Sequence, residues 1–100
     1  LQQANLAGAT LTEANLAGVL MQRAQLFQVK LNRANLSRAN LQGADLRGAS
    51  LIGANLARTD LTGANLTEAN LTKAEISSAI LLQTVLKETI MPDGSTRTSR

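Results

Sequence analysis

The sequence predicts an all-β solenoid, a chain wound into stacked coils, and three observations predict it. Leucine recurs at every fifth residue from Leu1 to Met91 and fills 16 of the 19 positions. A small residue stands two positions before each, and it is alanine in 13 of the 18 cases from Ala4 to Thr89. An asparagine or aspartate usually lies between the two. The repeating unit therefore reads Ala-Asn-Leu followed by two variable residues.

A period of five fits neither an α-helix nor a flat strand. In a helix, successive leucines would be offset by about 140°, so no apolar stripe could form. In a flat strand an odd period sends successive leucines to opposite faces. The alanine and leucine of every unit share one face only if the chain turns a corner at the two variable positions. Repeated corners wind the chain into a coil with alanine and leucine inside, and stacked coils pair about 4.8 Å apart.

The run Ala-Asn-Leu-Thr-Glu-Ala-Asn-Leu from Ala64, with related units such as residues 34–38, resembles the pentapeptide-repeat family, in particular its cyanobacterial-type members. The resemblance extends over residues 1–91. It implies a right-handed quadrilateral parallel β-helix with four units per coil, hence about four and a half coils at twenty residues each. On that spacing, one inward ladder of the structural core consists of Leu6, Leu26, Leu46, Leu66 and Leu86.

The chain divides into a pentapeptide-repeat β-helix, residues 1–91, and a polar C-terminal tail, residues 92–100, which we expect to be disordered. The closing segment from Met91 to Gly94 resembles the way cyanobacterial members end their repeats. Pro92 lacks the N–H that a further rung would need. Because the chain starts at Leu1 and its first coil has no evident cap, we expect a fragment or a processed form.

Apolar residues near the end of the repeat fall outside the inward positions, and they are Ile80, Leu82, Val85 and Ile90. We expect them to form a cap or an end-to-end homodimer contact, because an open solenoid end exposes core and unpaired backbone. Residues 76–91 also have some helical spacing, which leaves a helical cap as an alternative. The five-residue spacing kept by Thr84 and Leu86 favours a final coil.

Composition excludes most catalytic and metal sites. The chain has no His, Cys, Tyr or Trp, which removes imidazole and thiol chemistry and zinc-type ligand sets. Asp45 and Asp60 occupy the ordinary Asn/Asp position of the unit, and no set of partners completes an acid–base site. Asparagines at that position are interpreted as turn formers, and glycines at the last position as corners with positive φ. We therefore predict no enzyme, and no catalytic, cofactor or metal residues.

Ten Lys and Arg exceed seven Asp and Glu, which gives a net charge of +3. On the twenty-residue spacing Arg38 and Arg58 stack on one face, and Arg23, Arg33 and Arg47 fall on the other three. Because the charge is dispersed and aromatic residues for base stacking are lacking, no nucleic-acid partner is expected. No apolar run approaches the length of a membrane span.

The predicted function is a non-catalytic, rigid protein–protein interaction scaffold or appended domain for an unknown protein partner. The alternative, implied by the family resemblance, is a DNA mimic that protects DNA gyrase. Mimicry of phosphates needs a strongly anionic surface, which the net charge of +3 and the pI near 10.2 disfavour. We expect a cytoplasmic protein, with the periplasm or the thylakoid lumen as alternatives if a signal peptide was removed.

Overall fold

The computed structural model describes residues 1–98 as a four-sided prism that turns a corner after every fifth residue. Parallel bridges join the residue between alanine and leucine to the residue twenty positions later, from Asn5↔Gln25 to Asn70↔Ile90. Four coils, residues 1–20, 21–40, 41–60 and 61–80, stack in this register, and a half coil, residues 81–91, follows. The winding is right-handed, as parallel crossover connections almost always are. The described residues contain no helix, so residues 81–91 are a final coil and not a helical cap.

Every corner is a tight turn with its third residue in the left-handed region. At the first corner the Ala4 N–H donates to the Leu1 carbonyl at 3.0 Å, and Gln3 has a φ of 60°. Glycines at this position have φ near 70°, as predicted, and twelve residues other than glycine adopt the same conformation. Such a conformation costs a residue with a Cβ atom about 1–2 kcal/mol. Hydrogen bonds to the neighbouring coils therefore override the local preference.

The backbone amides of one unit show how the coils hold together. Leu6 N–H donates to the Gln25 carbonyl at 2.8 Å, and Gln25 N–H donates to the Ala4 carbonyl at 2.8 Å. The last residue of each unit pairs with the next coil in the same way, and the alanine amide closes the turn. In units with Asn or Asp before the leucine, the amide that remains, after the leucine, is bound by that side chain: Ser37 N–H donates to Asn35 Oδ1 at 3.0 Å. The asparagines thus act as the predicted turn formers.

The core is the stack of inward leucines and alanines. Leu26, Leu46 and Leu66 are fully buried and Leu86 is 4% exposed, whereas Leu6 in the first coil is only partly buried. Thr59 takes an alanine position with no exposed surface, and its hydroxyl donates to the Leu36 carbonyl at 2.7 Å. A buried hydroxyl is tolerated in this narrow core because it finds a partner.

The tail corrects the sequence-based expectation. Two short strands, β1 (Thr89–Ile90) and β2 (Thr96–Arg97), pair antiparallel with Thr89 opposite Arg97 and Ile90 opposite Thr96. The expected disorder is therefore wrong for residues 92–98, and residues 99–100 lie outside the described residues. The tail forms a hairpin that its polar composition did not indicate. Backbone hydrogen bonds to β1, and not apolar packing, hold it in place.

The role expected of Pro92 is also wrong. In the other described units no amide at this place donates to a backbone carbonyl of a neighbouring coil, and many are bound by the side chain two residues earlier, so its loss at proline removes no rung. The turn that follows is closed by Met91 N–H, which donates to the Ser95 carbonyl at 2.7 Å, with Gly94 at a φ of 87°. Strand β2 then covers the edge of β1 with an antiparallel pair, which ends the parallel stacking at this face.

Candidate interaction surface

The aspartates predicted to be structural lie on the faces of the prism, two residues before a corner, and bind the residues of that corner. Asp45 accepts hydrogen bonds from Arg47 Nε and Nη2 at 2.8 Å, and Asp60 accepts one from the Thr62 hydroxyl at 2.6 Å. The hydrogen bonds from Arg47 hold the pKa of the Asp45 carboxyl below its ordinary value, and those from Thr62 and Gln42 do the same for the pKa of Asp60. Both carboxylates therefore stabilise turns in their charged form.

No group of three or more His, Cys, Asp and Glu residues within residues 1–98 could hold a metal ion. That part of the chain also has no helix long and apolar enough to cross a bilayer. The surface of residues 1–98 has concavities, charged side chains and exposed apolar groups.

A concavity runs along one corner of the prism, and we call it the arginine groove. Its volume is about 730 Å³. It lies between the column of Asn15, Asn35, Asn55 and Glu75 and the column of Leu20, Asn40, Asp60 and Ile80. Its lining consists of the two variable positions of four successive coils: Ala17, Gly18, Ser37, Arg38, Ala57, Arg58, Ser77 and Ser78.

The groove exists because this corner has small side chains at the first variable position in all four coils. Ser37 is held down by Asn35, whose Oδ1 accepts both its amide and its hydroxyl, the latter at 2.8 Å. Ser77 is held by Glu75 in the same way. Other corners carry larger residues, Phe27, Arg47 or Ile52, at the equivalent position.

Two arginines at the same position of successive coils distinguish this corner from the others. At other corners Arg33 Nε lies 3.1 Å from Glu13 Oε2 and Arg47 Nη2 lies 2.8 Å from Asp45 Oδ2, whereas Arg23 is in neither ion pair. Within residues 1–98, Arg38 and Arg58 have no carboxylate oxygen within 4.0 Å. Both are exposed, and they occupy the same position in successive coils, as the sequence predicted. The arginine groove thus carries two cationic groups that no described acidic residue neutralises.

A second, smaller depression of about 370 Å³ lies at the corner that carries Gln2, Gln22 and Gln42 in one column. Arg23 is its one charged lining residue. Gln22 Oε1 is buried without a hydrogen-bond partner among the described residues. Because a glutamine oxygen is satisfied by a single water molecule, this depression indicates no particular ligand.

The predicted terminal apolar group does not form one patch. Ile80, Val85 and Ile90 bridge to Asp60, Asn65 and Asn70, on three successive faces. Ile80 is 46% exposed and Leu82, at the corner after it, is 64% exposed, whereas Val85 and Ile90 are partly buried. Ile90 also pairs with β2 through Thr96. The apolar surface at this end therefore centres on Ile80 and Leu82, and its role as an interface stays a prediction.

Phe27 makes a surface contact that the sequence analysis did not predict. It is 40% exposed, and the Arg47 guanidinium carbon lies 5.2 Å from its ring centroid. The twenty-residue spacing of the two residues could have predicted the contact. Because the guanidinium is exposed, this cation–π contact contributes little to stability.

Comparisons with known proteins agree with this architecture. The profile of the Pentapeptide repeats family matches in eight copies over residues 1–26, 20–56, 30–67 and 49–87. A pentapeptide repeat protein from the Arabidopsis thaliana thylakoid lumen has a similar structure, with a TM-score of 0.89 and 28% identity, over 97% of this chain and 68% of that one. None of the curated proteins compared with the chain matches it.

Two cyanobacterial structures are also similar. Rfr23 from Cyanothece 51142 is 36% identical with a TM-score of 0.58, over 96% of this chain and 62% of that one. HetL from Nostoc sp. strain PCC 7120, a protein involved in heterocyst differentiation regulation, is 34% identical with a TM-score of 0.51. That match covers 97% of this chain and 51% of HetL. The chain thus spans about half to two thirds of the length of these structures.

Proposed function

The chain belongs to the pentapeptide repeat family, and on that premise we propose that it is a non-catalytic interaction scaffold whose outer side chains bind a protein partner. The observation that carries the proposal is the arginine groove. The leucines and alanines are buried in the core, and the side chains of the asparagines bind the backbone amides of the turns. The residues of the groove have neither role, so they are available to a partner.

Site-specific photo-crosslinking of the whole chain tests this proposal. A benzophenone amino acid replaces Ala57 in the arginine groove, and in a matched control it replaces Thr67, at the same position of the unit on another corner. We expect one recurrent protein adduct in extracts of the source cells from the groove position alone. Adducts that are absent, or equal at both positions, would refute the scaffold function at this surface.

The end-to-end homodimer remains a second mode of association for the same scaffold. Its support is the exposure of Ile80 and Leu82 at the C-terminal end. Light scattering after size exclusion would detect it, and Leu82→Lys would return the chain to a monomer. A mass that stays monomeric at millimolar concentration would exclude a dimer through this end.

Protection of DNA gyrase is the less favoured function, since a net charge of +3 opposes mimicry of phosphates. A supercoiling assay with and without a quinolone separates it from the scaffold proposal: protection at stoichiometric protein would favour mimicry. The cytoplasm stays the expected compartment. A lumenal site is the alternative that the origin of the Arabidopsis protein favours.

A further inference from the structure

The two arginines of the groove are fixed by the backbone of the coils. Arg38 N–H donates to the Ala57 carbonyl and Arg58 N–H donates to the Ser77 carbonyl, each at 2.9 Å. Both residues lie in the left-handed region, with φ values of 60° and 59°. Because they occupy the same position in successive coils, their Cα atoms are one rung apart, about 4.8 Å. The two arginine side chains therefore start from adjacent positions on the same corner.

The shape of the groove suits an extended chain. Four coils line it, so it runs along the prism axis for three rung spacings, about 14 Å. An extended peptide rises about 3.3 Å per residue, and about four residues would span that length. The small column of Ala17, Ser37 and Ala57 leaves space beside the arginines for such a backbone.

Resting on the proposed scaffold function, we propose that the arginine groove binds an extended acidic segment of a partner protein. Two carboxylates of that segment would lie against Arg38 and Arg58. Guanidinium groups bind carboxylates through paired, charge-assisted hydrogen bonds, which give geometric specificity as well as affinity. The cations of this corner have no described acidic neighbour within 4.0 Å, so a ligand carboxylate would displace no ion pair.

The surroundings favour a peptide over a nucleic acid. Non-specific single-strand binding combines a basic groove with aromatic platforms, and the arginine groove has no aromatic residue. Phe27, the one aromatic residue of the chain, lies at another corner under Arg47. Glu75, bound to Ser77, places a negative charge at the C-terminal end of the groove. The acidic residues of the ligand therefore lie beside coils 2 and 3, where the two arginines are.

Fluorescence anisotropy tests the inference with a labelled hexapeptide of alternating aspartate and glutamate. The double variant R38Q/R58Q removes both groove cations, and the control R23Q/R33Q removes two cations from the same position of the unit on other corners. Both variants lower the net charge by two. We expect peptide binding to weaken about tenfold or more in R38Q/R58Q and to change less than about twofold in R23Q/R33Q.

A third variant separates shape from charge. Ala57→Phe fills the middle of the groove and leaves both arginines in place, and we expect it to weaken peptide binding by about tenfold as well. Circular dichroism melts establish that each variant is folded before binding is measured.

Each contrary result overturns the inference. Equal weakening in the two double variants would indicate attraction by net charge alone. Unchanged binding in Ala57→Phe would show that the groove is not the site. Tighter binding of an oligothymidylate of six nucleotides would identify a nucleic-acid ligand instead. Crosslinks at position 57 that persist in R38Q/R58Q would retain the scaffold function while refuting an acidic ligand.

Discussion

Leu46 is the residue whose replacement most directly tests the solenoid core. It is fully buried at mid-stack, with Leu26 below and Leu66 above it in the same column, both also fully buried. Its coil is fixed to its neighbours by hydrogen bonds of 2.8 Å, from Leu26 N–H to the Asp45 carbonyl and from Leu46 N–H to the Asn65 carbonyl. A cavity made at this place cannot collapse without breaking those bonds.

The rigid backbone determines how much free energy of unfolding is lost when Leu46 is replaced. Replacement of a buried leucine by alanine costs about 2–5 kcal/mol, and the cost rises with the volume of the cavity that remains. We expect Leu46→Ala to lie near the upper end, about 4 kcal/mol, because the paired coils keep the cavity open. The matched change Leu6→Ala lies in the partly exposed first coil and should cost about 2 kcal/mol.

Urea titration followed by far-ultraviolet circular dichroism measures both free energies of unfolding. Leu46→Asp adds a carboxylate with no partner in the core, and with a total stability of about 5–15 kcal/mol it should abolish cooperative folding. Equal costs for Leu46→Ala and Leu6→Ala, or a normal melting transition for Leu46→Asp, would refute the core assignment.

Three further changes test local features. Gly63→Ala should cost about 1–2 kcal/mol in urea titrations through backbone strain alone, since φ is 70° and an added Cβ would meet nothing nearer than 4.0 Å; no change would mean that the corner relaxes. Thr59→Val should cost about 0.5–1.5 kcal/mol by removing the hydrogen bond to Leu36, and a stabilised variant would contradict that role. The pKa of Asp60 is lowered in the folded chain, so the carboxylate stabilises the fold at pH values above its unfolded pKa of about 3.9. That stabilisation is lost as the pH falls through the folded pKa. Asp60→Asn should therefore reduce the loss of Tm between pH 5 and pH 2, and an unaltered acid profile would refute this linkage.

The five-residue period predicts most of the architecture. Since alanine and leucine must share a face while the chain turns, the period alone predicted the inward leucines and the corners. The core ladder and the stacking of Arg38 over Arg58 also needed the twenty-residue coil that the family resemblance implies. The turn-forming role of Asn35 also followed from its residue type. The number of sides came from the family resemblance, because a period along the chain does not state how many corners close a coil.

The features that were missed depend on pairing between coils or strands. The left-handed conformation of Arg38 contradicts its local preference and is imposed by the bond from its amide to the Ala57 carbonyl. Strand β2 has a polar sequence, so no burial pattern indicated it. Asp93 and Gly94 are turn residues, however, and they could have suggested the hairpin that brings the tail back onto β1.

The core residues stabilise the fold and the outer side chains of the groove do not, so the groove can change without affecting the fold. The stability of the prism comes from leucine packing and from backbone hydrogen bonds that do not depend on the side chain. Exchanging Arg38 for glutamine keeps a Cβ atom at the same left-handed φ and removes no described ion pair. The free energy of unfolding should then stay within about 0.5 kcal/mol of the original value. Any loss of binding in that variant would report on the ligand, because the prism that presents the groove is unaltered.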